Sequence, residues 1–252
     1  MFARRALVTA IVPIMLISAC ASSSESQEQT TLIVYAASSL ATPFAYAALA
    51  YEKNHPGVKV QFNLGASSDL ARFVQEGAPA DVFASADVAN MDKVESQDLF
   101  DSPSVIFATN YLEIIVEEGN PLGISSLEDL SNPDLIFVTA NPDVPIGKYT
   151  AEVLKKAGVS ITSDSFESNV KGIMLKVASG EADAGIVYHS EVIAADGQVE
   201  GIKIPTEFNV EAKYPIGIIK NSENKKQAQE FVDFLLSPKG QALLIQYGFK
   251  TP

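Results

Sequence analysis

The chain has 252 residues, with 18 Lys and Arg against 31 Asp and Glu, a net charge of −13 and a single cysteine. That length suits one or two domains, the acidic balance repels nucleic acid and anionic lipid headgroups, and one cysteine excludes a disulfide within the chain. An anionic ligand would be repelled at long range, so local dipoles would have to hold it.

Arg4 and Arg5 precede an apolar run, Ala6–Ala19, that ends at Cys20. A charged start, a short apolar core and small residues before a cut mark a signal peptide. The run is short for a permanent span, which takes roughly 20 apolar residues. Ile17-Ser18-Ala19-Cys20 resembles the lipobox of bacterial lipoproteins, in which the Cys becomes the lipidated N-terminus. Removing residues 1–19 takes away Arg4 and Arg5 and no acid, which moves the charge from −13 to −15. Ala21–Thr30 is polar and rich in Ser, Glu and Gln, and reads as a flexible tether. Residues 31–252 are left to fold.

From Thr31 onward, strands and helices alternate. Leu32–Tyr35 is a short, apolar, β-prone run that breaks into Ala36, Ala37, Ser38 and Ser39. A helix over Thr42–Asn54 follows, with Phe44, Ala47, Ala48 and Tyr51 on one face, Thr42 as its cap and Pro43 as its first residue. Val58–Phe62 is the next strand. Ser67 and Ser68 open a second helix, Ser68–Glu76, before a strand at Asp81–Ala84. Gly57 and Gly77 stand where the helices stop. This alternation implies mostly parallel sheet. The two Ser-rich turns place small residues where strands meet helix N-termini, whose free N–H groups and dipole suit an anion.

Strands are expected next at Leu112–Val116 and Leu135–Val138, followed by a turn, Asn141–Gly147, and a helix, Lys148–Ala157. Another helix opens at Ser168-Asn169-Val170 and ends near Gly180, ahead of a strand at Ala184–Tyr188. Tyr214–Ile219 is the last strand. Asn224–Leu236 is amphipathic, with Ala228, Phe231, Val232, Leu235 and Leu236 on its apolar face. A final helix starts at Ser237-Pro238 and stops at Gly248.

Eight stretches in this order, YAASSL, GASSDLARF, EGAPADVFASAD, PDVPIGKYTAEVL, SNVKG, AGIVYHSEV, AKYPIGII and SPKGQALLIQYGF, resemble the periplasmic molybdate-binding proteins of ABC importers over nearly all of residues 31–252. The resemblance implies a two-lobed α/β Venus-flytrap, each lobe a mostly parallel sheet flanked by helices. The chain would cross between lobes near Thr109–Asn110 and Ala212–Tyr214. One lobe would be 31–109 with 213–252, the other 110–212. It further implies that an oxyanion, molybdate or tungstate, is held by Ser39, Ser67, Ile146, Val170 and Tyr188. The two serines would offer N–H and hydroxyl, Ile146 and Val170 N–H alone, and Tyr188 its phenol. Ile146 stands where many relatives have a smaller residue. No cofactor and no metal-cation ligand is implied. The partners would be a membrane permease and its ATPase, with the protein a monomer anchored outside the cytoplasm through Cys20.

Other roles compete for the same residues. Ser38 and Ser68 read as caps and supports for their neighbours. Asp81 and Asp87 read as structural hydrogen-bonders rather than an acid/base pair. Lys148, beside the second-lobe turn, reads as solvated. His55 and His189 are isolated, whereas zinc wants about four ligands, and no Tyr-Tyr pair offers a ferric site. A serine hydrolase would need a nucleophile elbow, GxSxG, and there is none. The closer rival is a binder of sulfate or phosphate, which would use the same helix-end amides.

Overall fold

A computed structural model describes residues 29–252. The signal peptide, Cys20 and most of the tether lie outside those residues. Thr30, expected at the end of the tether, already pairs with Val58 as the first residue of β1.

Two five-stranded sheets share the chain. The first contains β1 (Thr30–Ala37), β2 (Val58–Gly65), β3 (Val82–Ala84), β4 (Val105–Asn110) and β10 (Ala212–Ile218), in the order β2-β1-β3-β10-β4. The second contains β5 (Leu112–Glu117), β6 (Phe137–Ala140), β7 (Ser165–Glu167), β8 (Ala184–Tyr188) and β9 (Val199–Lys203), in the order β7-β6-β8-β5-β9. In each sheet one strand opposes the rest. β10 is antiparallel to both β3 and β4, and β5 to both β8 and β9. These are the strands by which the chain enters one sheet from the other, so each arrives from the opposite side. Only Tyr111 separates β4 from β5. The result is a two-lobed α/β fold with mixed sheets.

The helices are α1 (Ala41–Glu52), α2 (Ser67–Gln75), α3 (Val88–Glu95), α4 (Pro145–Ala157), α5 (Val170–Ala178), α6 (His189–Ala194), α7 (Lys225–Leu236) and α8 (Pro238–Gln246). The expected face of α1 is the buried one: Phe44, Ala47, Ala48 and Tyr51 are all in the core. Phe44 packs on Phe107 and Phe231, with ring centres 5.7 and 6.1 Å apart. On α7 the expected apolar face is buried except for Leu236, the last residue of the helix, which is 40% exposed.

Helix starts differ from expectation in two places that matter below. Ser38–Leu40 forms a single 3-10 turn that runs directly into α1 at Ala41, so Thr42 is not a cap and Pro43 is the third helical residue. Proline is tolerated there because the first four N–H groups of a helix have no intrahelical partner. α2 starts one residue earlier than expected, at Ser67, with Ala66 at the N-cap position.

Candidate functional site

The carboxyl ends of β1, β2, β3, β6, β7 and β8 face one small cavity, as expected for ligand sites of open α/β sheets. β1 delivers Ser38 and Ser39, β2 delivers Ser67 at the head of α2, and β6 leads to Ile146 at the head of α4. β7 leads to Val170 at the head of α5, and β8 ends at Tyr188. All five residues named by the resemblance (Ser39, Ser67, Ile146, Val170 and Tyr188) line this cavity. Its volume is about 210 Å³, counting the open space at its mouth. Pockets for drug-sized ligands run from roughly 300 Å³ upward, so the cavity suits a compact ligand of a few atoms.

Among the described residues, no charged side chain lines the cavity. Its polarity comes from donors. Ser67 Oγ accepts a hydrogen bond from the Ala86 N–H at 3.0 Å, which leaves the hydroxyl proton free to point elsewhere. Ser39 Oγ lies 3.1 Å from the Tyr214 hydroxyl. With Tyr214 donating, the Ser39 proton is free in the same way. On α5, the Asn169 side chain caps the N–H groups of Lys171 and Gly172 and leaves that of Val170, at the head of the helix, without an intrahelical acceptor. Asn169→Ala should cost about 1 kcal/mol of folding stability by losing this cap. Thermal unfolding tests this, and an unchanged midpoint would show that the cap contributes nothing.

On α4 the first residue is Pro145, and Ile146 is the next. Gly147 follows because nothing larger fits: a Cβ there would stand 2.3 Å from the Asn141 carbonyl oxygen. The loop from β6 therefore folds tightly over the helix start, where Ile146 lines the cavity. Tyr188 is 2% exposed, and among the described residues its hydroxyl has no hydrogen-bond partner. Burial pushes its phenol well above the usual range, as it does for Tyr214. Both stay protonated across neutral pH and remain donors. An unfolded tyrosine ionises near pH 10, so their burial favours the fold below that pH and the advantage is lost as the pH rises above it.

The site thus gathers neutral N–H and O–H groups at four backbone turns and one phenol. It offers an anion hydrogen bonds and dipoles, with few acceptors for a protonated ligand. The nearest charges are paired. Buried Glu191 accepts from Lys171 at 2.6 Å, and Asp87 faces Lys148 at 3.7 Å. Lys148, expected to be solvated, is therefore engaged across the cleft.

Ser38 also lines the cavity, whereas Ser68 does not, and neither caps a helix through its side chain. Asp81 is structural: it accepts from the Ile33 N–H and the Ser222 hydroxyl at 2.7 and 2.6 Å. Asp87 accepts from the Asn90 N–H and caps α3. His55 stacks on Tyr51, and His189 stacks on Tyr111 beside Glu113. Among the described residues, no cluster of His, Cys, Asp and Glu could hold a metal ion. The sequence reading gave Tyr214 no part in the site, placing it at a crossover and at the start of the last strand. A tyrosine opening a strand between lobes was the available signal.

A curated relative, the molybdate-binding protein ModA of Mycobacterium tuberculosis, is 35% identical over 98% of both chains. The solved periplasmic molybdate-binding protein of Azotobacter vinelandii superposes with a TM-score of 0.77 at 23% identity, covering 88% of this chain and 99% of that one. The sulfate-binding protein SubI of M. tuberculosis superposes with a TM-score of 0.81 at 20% identity, covering 88% and 87%. The fold alone therefore does not choose between the two anions. These relatives are solute-binding proteins and not enzymes. Residues 32–250 match the family of bacterial extracellular solute-binding proteins, and the chain belongs to that family.

Proposed function

We propose that this protein captures molybdate, and equally tungstate, outside the cytoplasm and delivers it to an ABC permease driven by a separate ATPase. One observation carries the reading: the five residues that the resemblance to molybdate-binding proteins names come from both lobes and converge on one compact, uncharged, donor-rich cavity. The 35% identity to a molybdate-binding protein over the whole chain supports the choice of anion. A tetrahedral dianion takes its hydrogen bonds from Ser39, Ser67, Ile146, Val170 and Tyr188. Each is worth roughly 1.5–3 kcal/mol to a charged ligand. Several together reach nanomolar affinity, about 12 kcal/mol, after the cost of closing. The lobes, 31–109 with 213–252 and 110–212, close by bending at the two crossovers. Isothermal titration with sodium molybdate tests this. One-to-one binding is expected, and a folded protein that takes up no molybdate contradicts it.

The serines act through one hydrogen bond each, with backbone N–H groups remaining beside them. Ser67→Ala should weaken molybdate binding by about tenfold. A loss beyond about a hundredfold would mean that the hydroxyl has a larger role than one donor.

The protein is a monomer anchored by lipid on Cys20, the cysteine of the lipobox. Among the described residues, no helix is long and apolar enough to cross a membrane. Cys20→Ala should abolish incorporation of a fatty-acid analogue. Equal label on both proteins would exclude that attachment.

A further inference from the structure

A short loop of the first lobe, which lines the cavity through Ala86, touches the second lobe at two neighbouring residues. The loop is Ser85-Ala86-Asp87, between β3 and α3. The Lys148 ammonium stands 3.7 Å from Asp87 Oδ2, and the Tyr149 hydroxyl donates to the Ala86 carbonyl at 3.4 Å. Both partners belong to the first turns of α4, immediately after Ile146 and Gly147. The loop is held firmly on its own side. Asp87 accepts from the N–H and the side-chain amide of Asn90 at 3.0 and 2.8 Å, and Ser85 Oγ donates to the Asp87 carbonyl at 2.8 Å. The Ala86 N–H donates to Ser67 Oγ at 3.0 Å. One peptide segment thus supports Ser67 from one lobe and is gripped by α4 of the other.

Resting on the reading that this cavity holds the anion, we infer that Lys148 and Tyr149 are positioning residues that latch α4 onto the Ser85–Asp87 loop and slow release of the bound oxyanion. Neither touches the cavity. Their contacts join the two lobes, so they lengthen the life of the closed complex without adding a donor to it. The Asp87 side chain is 7% exposed and that of Lys148 38%. This pair is less screened than an exposed one, yet too open to dominate affinity.

Stopped-flow binding of molybdate to the mature protein tests the latch. Lys148→Gln with Tyr149→Phe should release molybdate about tenfold faster, with association within about twofold of wild type, as for contacts made after encounter. Lys148→Arg should restore slow release in the presence of Tyr149. Added salt should speed release from wild type more than from Lys148→Gln, because only the former has the ion pair to screen. The unfolding midpoint of the ligand-free variants should match wild type, since the contacts join lobes rather than build either one. Release from the double variant within twofold of wild type overturns the latch. So does equal salt sensitivity in the two proteins. If the double variant fails to fold, Tyr149→Phe and Lys148→Gln alone must each speed release, and no change in either overturns it. If wild type binds sulfate and not molybdate, the same rates measured with sulfate decide the latch while the choice of anion falls. If it binds neither, the cavity reading falls and takes the latch with it.

Discussion

Val170→Pro should fold normally and bind molybdate about 10–100-fold more weakly than wild type, a loss of roughly 1.5–3 kcal/mol. The Val170 side chain is buried and apolar, so it has nothing to offer an oxyanion. Its proposed contact is the N–H at the first position of α5, the one that the Asn169 cap leaves alone. Proline deletes that N–H and is accepted at the first helical position. It requires an extended residue before it, and Asn169 already has φ −164 and ψ 175. The circular dichroism spectrum should therefore be unchanged. Val170→Ala removes comparable packing and keeps the N–H, so it should bind nearly as wild type does. A folded proline variant within twofold of wild type would remove Val170 from the site and misplace the second-lobe half of it.

Much of this site was legible in the sequence because its chemistry sits at punctuation. Ala36–Ser39, Ala66–Ser68 and Ser168–Val170 are breaks from an apolar run or a turn into helical spacing, and such breaks mark helix N-termini whatever the surrounding fold. What remained hidden has a physical reason in each case. β9 pairs only with β5, at the edge of its sheet, and its Val-Glu-Gly-Ile-Lys carries little apolar signal. β7 is three residues long and half exposed. α6 begins directly after Tyr188, with no loop to separate strand from helix. The α1 start was misplaced because Thr42-Pro43 imitates a cap, whereas the chain enters the helix through the 3-10 turn at Ser38–Leu40. The pairing of Ser39 with Tyr214 spans 175 positions and leaves no local trace. The same holds for the grip of Lys148 on Asp87, which made Lys148 look solvated.

On the proposed function, selectivity would follow from the same geometry. Sulfate and molybdate carry equal charge and shape, so neutral donors alone discriminate between them only by distance. The donors here are fixed on backbone turns: the Gly147 contact with the Asn141 carbonyl holds one turn tight, and the Asn169 cap orders another. A site built this way shrinks onto a smaller anion only at the cost of its own hydrogen bonds. The Ile146 side chain lines the cavity wall, and its N–H stays in the backbone of α4.

The most direct measurement is a competition titration at equilibrium, in which the mature protein is loaded with molybdate and challenged with sulfate, phosphate and tungstate in the same buffer. Molybdate and tungstate should bind at least about 100-fold more tightly than sulfate, a discrimination of roughly 2.7 kcal/mol, and tungstate should displace molybdate at near-equal concentration. Sulfate that competes with molybdate on equal terms would contradict the assignment and make this a sulfate-capturing protein.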